Sequence, residues 1–484
     1  MRVCLINPPR IHPKLWGKPS VFQPTDLAYV AAVLEKQHEV LVIDACAEGW
    51  KNLELDGMRY RQGLSIEDIS KRIRQWSPNI VGISIPFTGW WQPAYDVASA
   101  AKSINKDIIT MLFGLHPSVR AADCLTYPNV DFAIIGEPES TALELVGVLE
   151  RGNPEENLKK VNGLAFIKNG ETVFTPPRTP IQNLDSLPFP ARHLLPMDIY
   201  FAAVKENPLR GEIRKPWAIM ITSRGCPNQC VFCTIHNVMG RQWRSRSPEN
   251  VVDEIEQLVQ TYHIKQIDFV DDNMTLNKKR VETICTLIKE RKIDIEWYTP
   301  NGVRADTLDE SLLRKMKASG CKKIRIAPES GAQRVVDQII KKNQKLEDVE
   351  KAVVLSKKVG IKVGCFFVLG LIGETKADIE ETIKFAYKLR RLGADKFYFS
   401  VAMPMYGTEL YDQAKRGGFL KAGFDDDSLG EVKPLIETSE FTVDEIQELC
   451  ARANLVNHTF TSEKIVIAIR DPKKAIKFLL GKMG

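Results

Sequence analysis

The chain has 484 residues, of which 44% are hydrophobic and 26% charged, and a formal net charge of +6. A length beyond the roughly 250–300 residues at which single cores stop growing calls for more than one domain, and this near-average composition excludes a wholly disordered chain or a membrane protein. So mild a positive charge reads as a solvated surface rather than as a nucleic-acid footprint.

The first residues, Met1-Arg2-Val3-Cys4, lead straight into a strand-like run with no small-residue cleavage site, and no apolar stretch reaches spanning length. The expectation is a cytoplasmic protein with no transmembrane segment. Ten scattered cysteines, seven of them in or beside apolar segments, fit reduced thiols better than a disulfide framework.

From Arg2 to about Glu150, β-rich runs alternate with helical patterns. Strands are predicted at Val3–Asn7, Glu39–Asp44, Ile80–Ile85, Ile108–Phe113 and Phe132–Ile135, with helices at Leu27–Glu35, Ile66–Gln75 and Ala94–Ile104. Such alternation implies parallel βαβ units and a doubly wound, Rossmann-like α/β domain over 1–150. Ligands of such sheets bind beyond the strand carboxyl ends, which here carry Pro8, Ser84, Thr88, Gly114, His116, Gly136 and Glu137.

Residues 151–205 change character, with a hairpin predicted at Asn169-Gly170 and a run of prolines from 176 to 196; they read as a linker that wraps. A second βα series follows over 206–410, with strands at Ala218–Thr222, Gln266–Val270, Ile295–Tyr298, Lys323–Ala327, Lys362–Leu369 and Lys396–Ser400. Helical patterns such as Val251–Tyr262 and Asp378–Arg391 alternate with them, which predicts a partial (β/α)6 barrel with its site at the strand carboxyl ends. A mostly helical tail occupies 411–484, and Lys464–Met483 reads as a packed helix rather than a membrane-surface one.

Directly after the first barrel strand, Arg224-Gly225-Cys226-Pro227-Asn228-Gln229-Cys230-Val231-Phe232-Cys233 places three thiols in eight residues, spaced Cys-x3-Cys-x2-Cys. Thiolates are soft ligands suited to zinc or iron–sulfur clusters. Three of them hold three corners of a 4Fe-4S cube and leave one iron open to a ligand that is to be activated. The alternative is a closed structural zinc site with His236 as fourth ligand.

The loop resembles that of the radical S-adenosylmethionine superfamily. Further matching pieces run in order along the chain: Asn7-Pro8-Pro9, Asp131 to Glu139, Leu187-Pro188-Phe189-Pro190-Ala191-Arg192, Arg244 to Ile255, Asp271-Asp272-Asn273 and Glu329-Ser330-Gly331. Together they resemble its cobalamin-binding branch. The resemblance implies a 4Fe-4S cluster on Cys226, Cys230 and Cys233, reductive cleavage of S-adenosylmethionine to a 5′-deoxyadenosyl radical, and bound cobalamin. It implies that Asp271, Asp272, Asn273, Glu329, Gly370, Gly373 and Pro404 lie around S-adenosylmethionine. For the two aspartates and Glu329, helix capping is the competing reading.

In the first domain the cobalt-ligating Asp-x-His-x-x-Gly signature is absent. His116 follows Gly114-Leu115 where relatives often carry two glycines, and a loop-structuring role is expected of it in preference to cobalt ligation. Trp90 and Trp91 either cover a macrocycle or pack between domains.

The resulting expectation is a cobalamin-dependent radical enzyme, a methyltransferase acting on an unactivated carbon. The alternatives are a radical cyclase or rearrangement enzyme of the anaerobic porphyrin cyclase type, and a non-catalytic or zinc-stabilised corrinoid-binding protein. The expected partners are a small-molecule or natural-product substrate and an electron donor such as flavodoxin or ferredoxin, with no nucleic acid. No catalytic acid or base is legible, and neither is the substrate.

Overall fold

The computed structural model describes residues 1–14, 20–57, 59–152, 154–206, 216–430 and 433–458. Five parallel strands, β1 (Arg2–Asn7), β2 (Glu39–Asp44), β3 (Ile80–Ser84), β4 (Ile109–Phe113) and β5 (Phe132–Ile134), form most of the first sheet. They lie in the order β2-β1-β3-β4-β5. Their residues are almost uniformly buried because helices cover both faces. Thr25–Leu34 and Pro138–Glu150 pack on one side with Leu5, Met111 and Ile134. Ile66–Trp76 and Trp91–Ile104 cover the other, with Ile6, Ile83 and Leu112.

The predicted hairpin is present as β6 (Leu164–Lys168) and β7 (Glu171–Phe174). Within the segment read as a linker with a hairpin, these two strands join the first sheet. β6 pairs antiparallel with β5, and Leu164, Ala165 and Phe166 are buried in the two cores flanking the sheet. The sheet therefore extends past residue 150. A small antiparallel sheet of Arg10–Pro13, Leu53–Asp56 and Arg59–Gln62 was not anticipated.

The second sheet runs in simple sequence order: β8 (Trp217–Met220), β9 (Gln266–Phe269), β10 (Glu296–Val303), β11 (Cys321–Glu329), β12 (Lys362–Leu369) and β13 (Lys396–Val401). All neighbours are parallel. Two strands are longer than predicted, since β10 and β11 carry register shifts near their carboxyl ends. Their outward faces form one core with the surrounding helices, including Ile267, Trp297, Ile324, Val363 and Phe397.

Two buried ion clusters join the domains. Arg192, from the proline-rich segment, pairs with Glu254 at 2.6 Å, and Arg246 contacts the same carboxylate. Burial alone would push Glu254 up, but Arg246 and Arg192 outweigh it and hold the carboxyl below its usual range. The tail is anchored as well. Asp427 accepts from Trp91 Nε1 at 3.1 Å and lies 3.5 Å from Arg59, while Val443–Asn454 packs beside β13. The helix predicted at Lys464–Met483 lies outside the described residues. Among the described residues no helix is long and apolar enough to cross a membrane.

Candidate functional site

The cysteine loop leaves the first barrel strand through Ser223–Arg224, which pairs antiparallel with Arg244–Ser245. Gly225 then turns with φ of +80°, and a Cβ there would lie 2.3 Å from Gln242 O, so only glycine fits. Its N–H donates to Asp272 Oδ2 at 2.9 Å. Farther along, Val231 N donates to Ile340 O and Val231 O accepts from Leu410 N, at 3.2 and 2.9 Å. The loop is thus fixed from both sides by backbone bonds rather than by the thiols.

All three thiols face one cavity of about 250 Å³ at the carboxyl ends of the barrel strands. Each of the three cysteines is only partly exposed, and burial pushes Cys230 up to about 11 and Cys233 up to about 12. A buried thiolate needs positive charge nearby, and Lys342 and Arg304 line the same space. Arg304 donates to Asn228 Oδ1 at 2.9 Å, and Asn228 Nδ2 points at Cys226 Sγ from 3.3 Å.

Three free thiols on one cavity wall fit a cuboidal cluster, whose cysteines bind separate irons. A single zinc ion would need its donors within about 2.3 Å of one point. Among the described residues no three His, Cys, Asp or Glu side chains converge in that way. His236, the suggested fourth ligand, has Nε2 3.4 Å from the Arg241 guanidinium, and burial and that cation hold its pKa down.

The polar residues predicted around S-adenosylmethionine divide into two sets. Asp272, Asn273 and Glu329 line the cavity. Asn273 is 2% exposed and neither atom of its amide has a partner among the described residues, which leaves a buried donor and acceptor for a ligand. Glu329 adopts φ of +66°, strained for a non-glycine residue, and accepts from Lys342 Nζ at 2.7 Å. Burial lifts Asp272 to about 7. Asp271 is instead a brace. Its Oδ1 accepts from Thr222 N, Thr222 Oγ1 and Ser223 Oγ, tying the second strand end to the first.

Gly370, Gly373 and Pro404 do not line this cavity. A Cβ on Gly370 would meet Ile446 of the C-terminal helix, and one on Gly373 would approach Ile339. Sequence reading missed Asn228, Asn301, Arg304 and Lys342. The first three lie in plain view, Asn228 inside the cysteine loop and the other two beyond the predicted end of the third strand. Lys342 arrives only through the fold, after the π-helical turn Val335–Ile339.

At the first sheet's carboxyl edge the predicted cobalamin residues are largely engaged with the protein itself. Ser84 Oγ donates to Asp26 Oδ2 at 2.6 Å. His116 is 1% exposed and lies between Tyr95 OH and Thr88 Oγ1, both at 3.3 Å. Burial drops its pKa to about 4. Gly114, at φ of +113°, would drive a Cβ to 2.7 Å from Ile85 O. Glu137 accepts from Ile181 N and from Arg244, and with Glu139 it surrounds Arg224. Burial opposes the Arg224 charge, but the two glutamates outweigh it and keep the guanidinium firmly protonated. The motif Gly136-Glu137-Pro138-Glu139 is thus a clasp on the residue two before Cys226.

Three other groups at that edge leave a ligand something to meet. Pro8 follows Asn7, whose amide is taken by Asp44. Around Gly136 the space for a Cβ is empty except for Val238 O at 3.8 Å. Arg10 stacks on Trp90 at 4.4 Å with its buried Nε unpartnered among the described residues, a donor that fits a ligand bearing amide oxygens. Trp91 packs toward Asp427 and Tyr95, as an interdomain contact.

Residues 220–386 match the Radical SAM superfamily and residues 19–146 match the B12 binding domain. An uncharacterized methyltransferase of Pyrococcus horikoshii is 33% identical over 94% of this chain and 91% of that protein. Cytidylyl-2-hydroxyethylphosphonate methyltransferase of Streptomyces wedmorensis is 31% identical over 83% and 79%. Anaerobic magnesium-protoporphyrin IX monomethyl ester cyclase of Rubrivivax gelatinosus is 30% identical over 67% and 56%. Among solved structures, the fold is shared with the radical S-adenosylmethionine methyltransferase TsrM of Kitasatospora setae, solved with cobalamin and a [4Fe-4S] cluster. That match has a TM-score of 0.67 at 16% identity and covers 87% of this chain and 76% of that one.

Proposed function

The chain belongs to the radical SAM superfamily, in the branch that carries a B12-binding domain ahead of the barrel, and on that premise we propose that it is a methyltransferase acting on an unactivated carbon of a small molecule. Its cofactors are a 4Fe-4S cluster, S-adenosylmethionine and cobalamin. When bound, they supply reductive cleavage of a sulfonium and a carrier for the methyl group. The observation that carries the reading is the single cavity in which Cys226, Cys230 and Cys233 meet the unpartnered amide of Asn273 and the Lys342–Glu329 pair.

In this reading the three thiolates would hold the cluster, with Asn273 and Glu329 on the wall of the same cavity. A carboxylate beside an ammonium, and an amide offering both donor and acceptor, suit the aminocarboxylate and ribose groups of S-adenosylmethionine. Asp271 keeps two strand ends in register. Arg304 and Asn228 orient the first cysteine. Cobalamin would be held at the carboxyl edge of the first sheet, where Gly136 leaves room and Arg10 Nε is a buried donor, and His116 is engaged by Tyr95 and Thr88 instead. A one-electron donor such as flavodoxin or ferredoxin completes the reaction, and no nucleic acid takes part.

Anaerobically reconstituted protein given methyl-labelled S-adenosylmethionine, a reductant and substrate should form 5′-deoxyadenosine, with label passing first to cobalamin and then to substrate. Cobalamin binding with turnover but no label transfer would move the assignment to radical cyclisation, the chemistry named for the Rubrivivax relative. Stoichiometric zinc with no sulfide would overturn it altogether.

A further inference from the structure

A second, larger cavity of about 480 Å³ opens nearer the amino ends of the barrel strands. Among the described residues, five basic and two acidic side chains line it. Both acids are engaged, Glu296 with Lys322 at 3.4 Å and Asp268 with Gln266 Nε2 at 2.9 Å. Lys323 and Lys362 are direct Cα partners on adjacent parallel strands, and both face the cavity. Like charges opposed in this way repel, and no carboxylate among the described residues pairs with either.

Arg325 lies one inward step above Lys323 and is held rigidly. Its guanidinium is 5.0 Å from the Phe366 ring and 4.4 Å from that of Tyr398, and it donates to Pro300 O at 2.9 Å and to Tyr398 OH at 3.3 Å. A guanidinium fixed between two rings keeps part of its donor fork free at little entropic cost, which favours phosphoryl oxygens over monovalent ions.

The two cavities follow one another along the same strands. Pro300 and Arg325 line the lower, while Asn301 and Ala327 line the upper. From Lys323 to Ala327 the strand advances roughly 13 Å. We propose that Lys323, Lys362 and Arg325 anchor the phosphate-ester or diphosphate group of an elongated small-molecule substrate, whose neutral end reaches the cysteine cavity. The proposal rests on the radical reading of that upper cavity and adds the substrate class. Nucleic acid fits less well, because these charges converge on one cavity rather than spread along a groove.

Inorganic pyrophosphate is the probe, titrated calorimetrically into the full-length reconstituted protein at constant ionic strength, with sulfate, inorganic phosphate and a single-stranded oligonucleotide alongside. One pyrophosphate should bind per chain, in preference to sulfate. Affinity should fall about tenfold to a hundredfold in the double variant Lys323→Gln/Lys362→Gln, the loss expected for charge-assisted contacts. Arg325→Gln should weaken it as well. Should that variant fail to fold, the lysine pair, half-buried Lys323 and exposed Lys362, still decides the question. Absent binding, equal affinity in the lysine variant, or tighter binding of the oligonucleotide would overturn the anion site. The two readings separate in unaltered protein: failure to assemble the cluster and cleave S-adenosylmethionine defeats the radical assignment, whereas cleavage without pyrophosphate binding defeats only this one.

Discussion

The two sheets end in contrasting edges. At the barrel mouth, polar groups are held in place yet turned toward the cavity: three thiols outside any disulfide, the Asn273 amide with neither atom partnered among the described residues, and a strained Glu329 whose cation also faces the cavity. At the carboxyl edge of the first sheet, side chains of equal chemical promise are satisfied by the protein. His116 lies between a tyrosine and a threonine, Ser84 bonds an aspartate, and Glu137 serves two arginines. Buried polar groups are almost always paired, so unpaired ones mark where a ligand is expected and paired ones mark scaffold. The barrel would thus grip its ligands by side chains, and the first domain would receive its own through backbone and ring surface.

The largest expected effect tests the barrel edge. Replacing Cys226, Cys230 or Cys233 by Ala should abolish both the 4Fe-4S absorbance and 5′-deoxyadenosine formation, since one iron loses its only protein ligand. An intact cluster in any one of them would remove that cysteine from the set.

Next comes the clasp joining the two edges. Arg224→Met leaves Glu139 without its 2.6 Å partner in a buried site and deprives Glu137 of a neighbour. Breaking such a pair costs about 3–5 kcal/mol, readable as a lower denaturation midpoint of the iron-free protein. An unchanged midpoint would show that the domains are held by the Arg192–Glu254 cluster alone.

Glu329→Gln should weaken S-adenosylmethionine by about 1.5–3 kcal/mol, the value of a hydrogen bond to a charged group, with the cluster spectrum unaltered. Equilibrium dialysis measures it, and equal affinity would demote Glu329 to a structural partner of Lys342.

His116→Ala is expected to leave the bound cobalamin spectrum unchanged, which sharpens the contrast from the other side. It should also flatten the acid limb of stability. The folded state holds His116 neutral down to about pH 4, while the unfolded chain protonates near 6.5. Its contribution is therefore complete above pH 6.5 and is lost as pH falls toward 4, by an amount on the order of 3 kcal/mol. Denaturant midpoints of both proteins at pH 4.5 and 7 would reveal the difference, and a shifted cobalt spectrum would restore His116 as a ligand.

Local sequence determined a great deal here. β-rich runs bounded by turn residues located every parallel strand of the two large sheets to within about five residues, because buried parallel strands must be apolar on both faces. β2 and β12 match their predicted limits at both ends. Three thiols on one short loop were legible as candidate ligands of one metal centre because their spacing is itself the constraint, and they line one cavity. Sequence could also nominate Asn273 and Glu329, since strand carboxyl ends are where such folds bind ligands.

Tertiary structure decided the rest, because it depends on partners distant in the chain. Whether a polar residue is a ligand or a brace turns on what stands opposite it, and no local pattern reports that. Asp271 and Asp272 are adjacent, yet one ties strands together and the other faces the cavity. Glu137 was expected to meet a cofactor and instead meets Arg244, 107 residues away. Lys342 reaches Glu329 only once a π-helical turn has folded back over the barrel mouth, and the opposed Lys323 and Lys362 became a pair only when parallel pairing set their register.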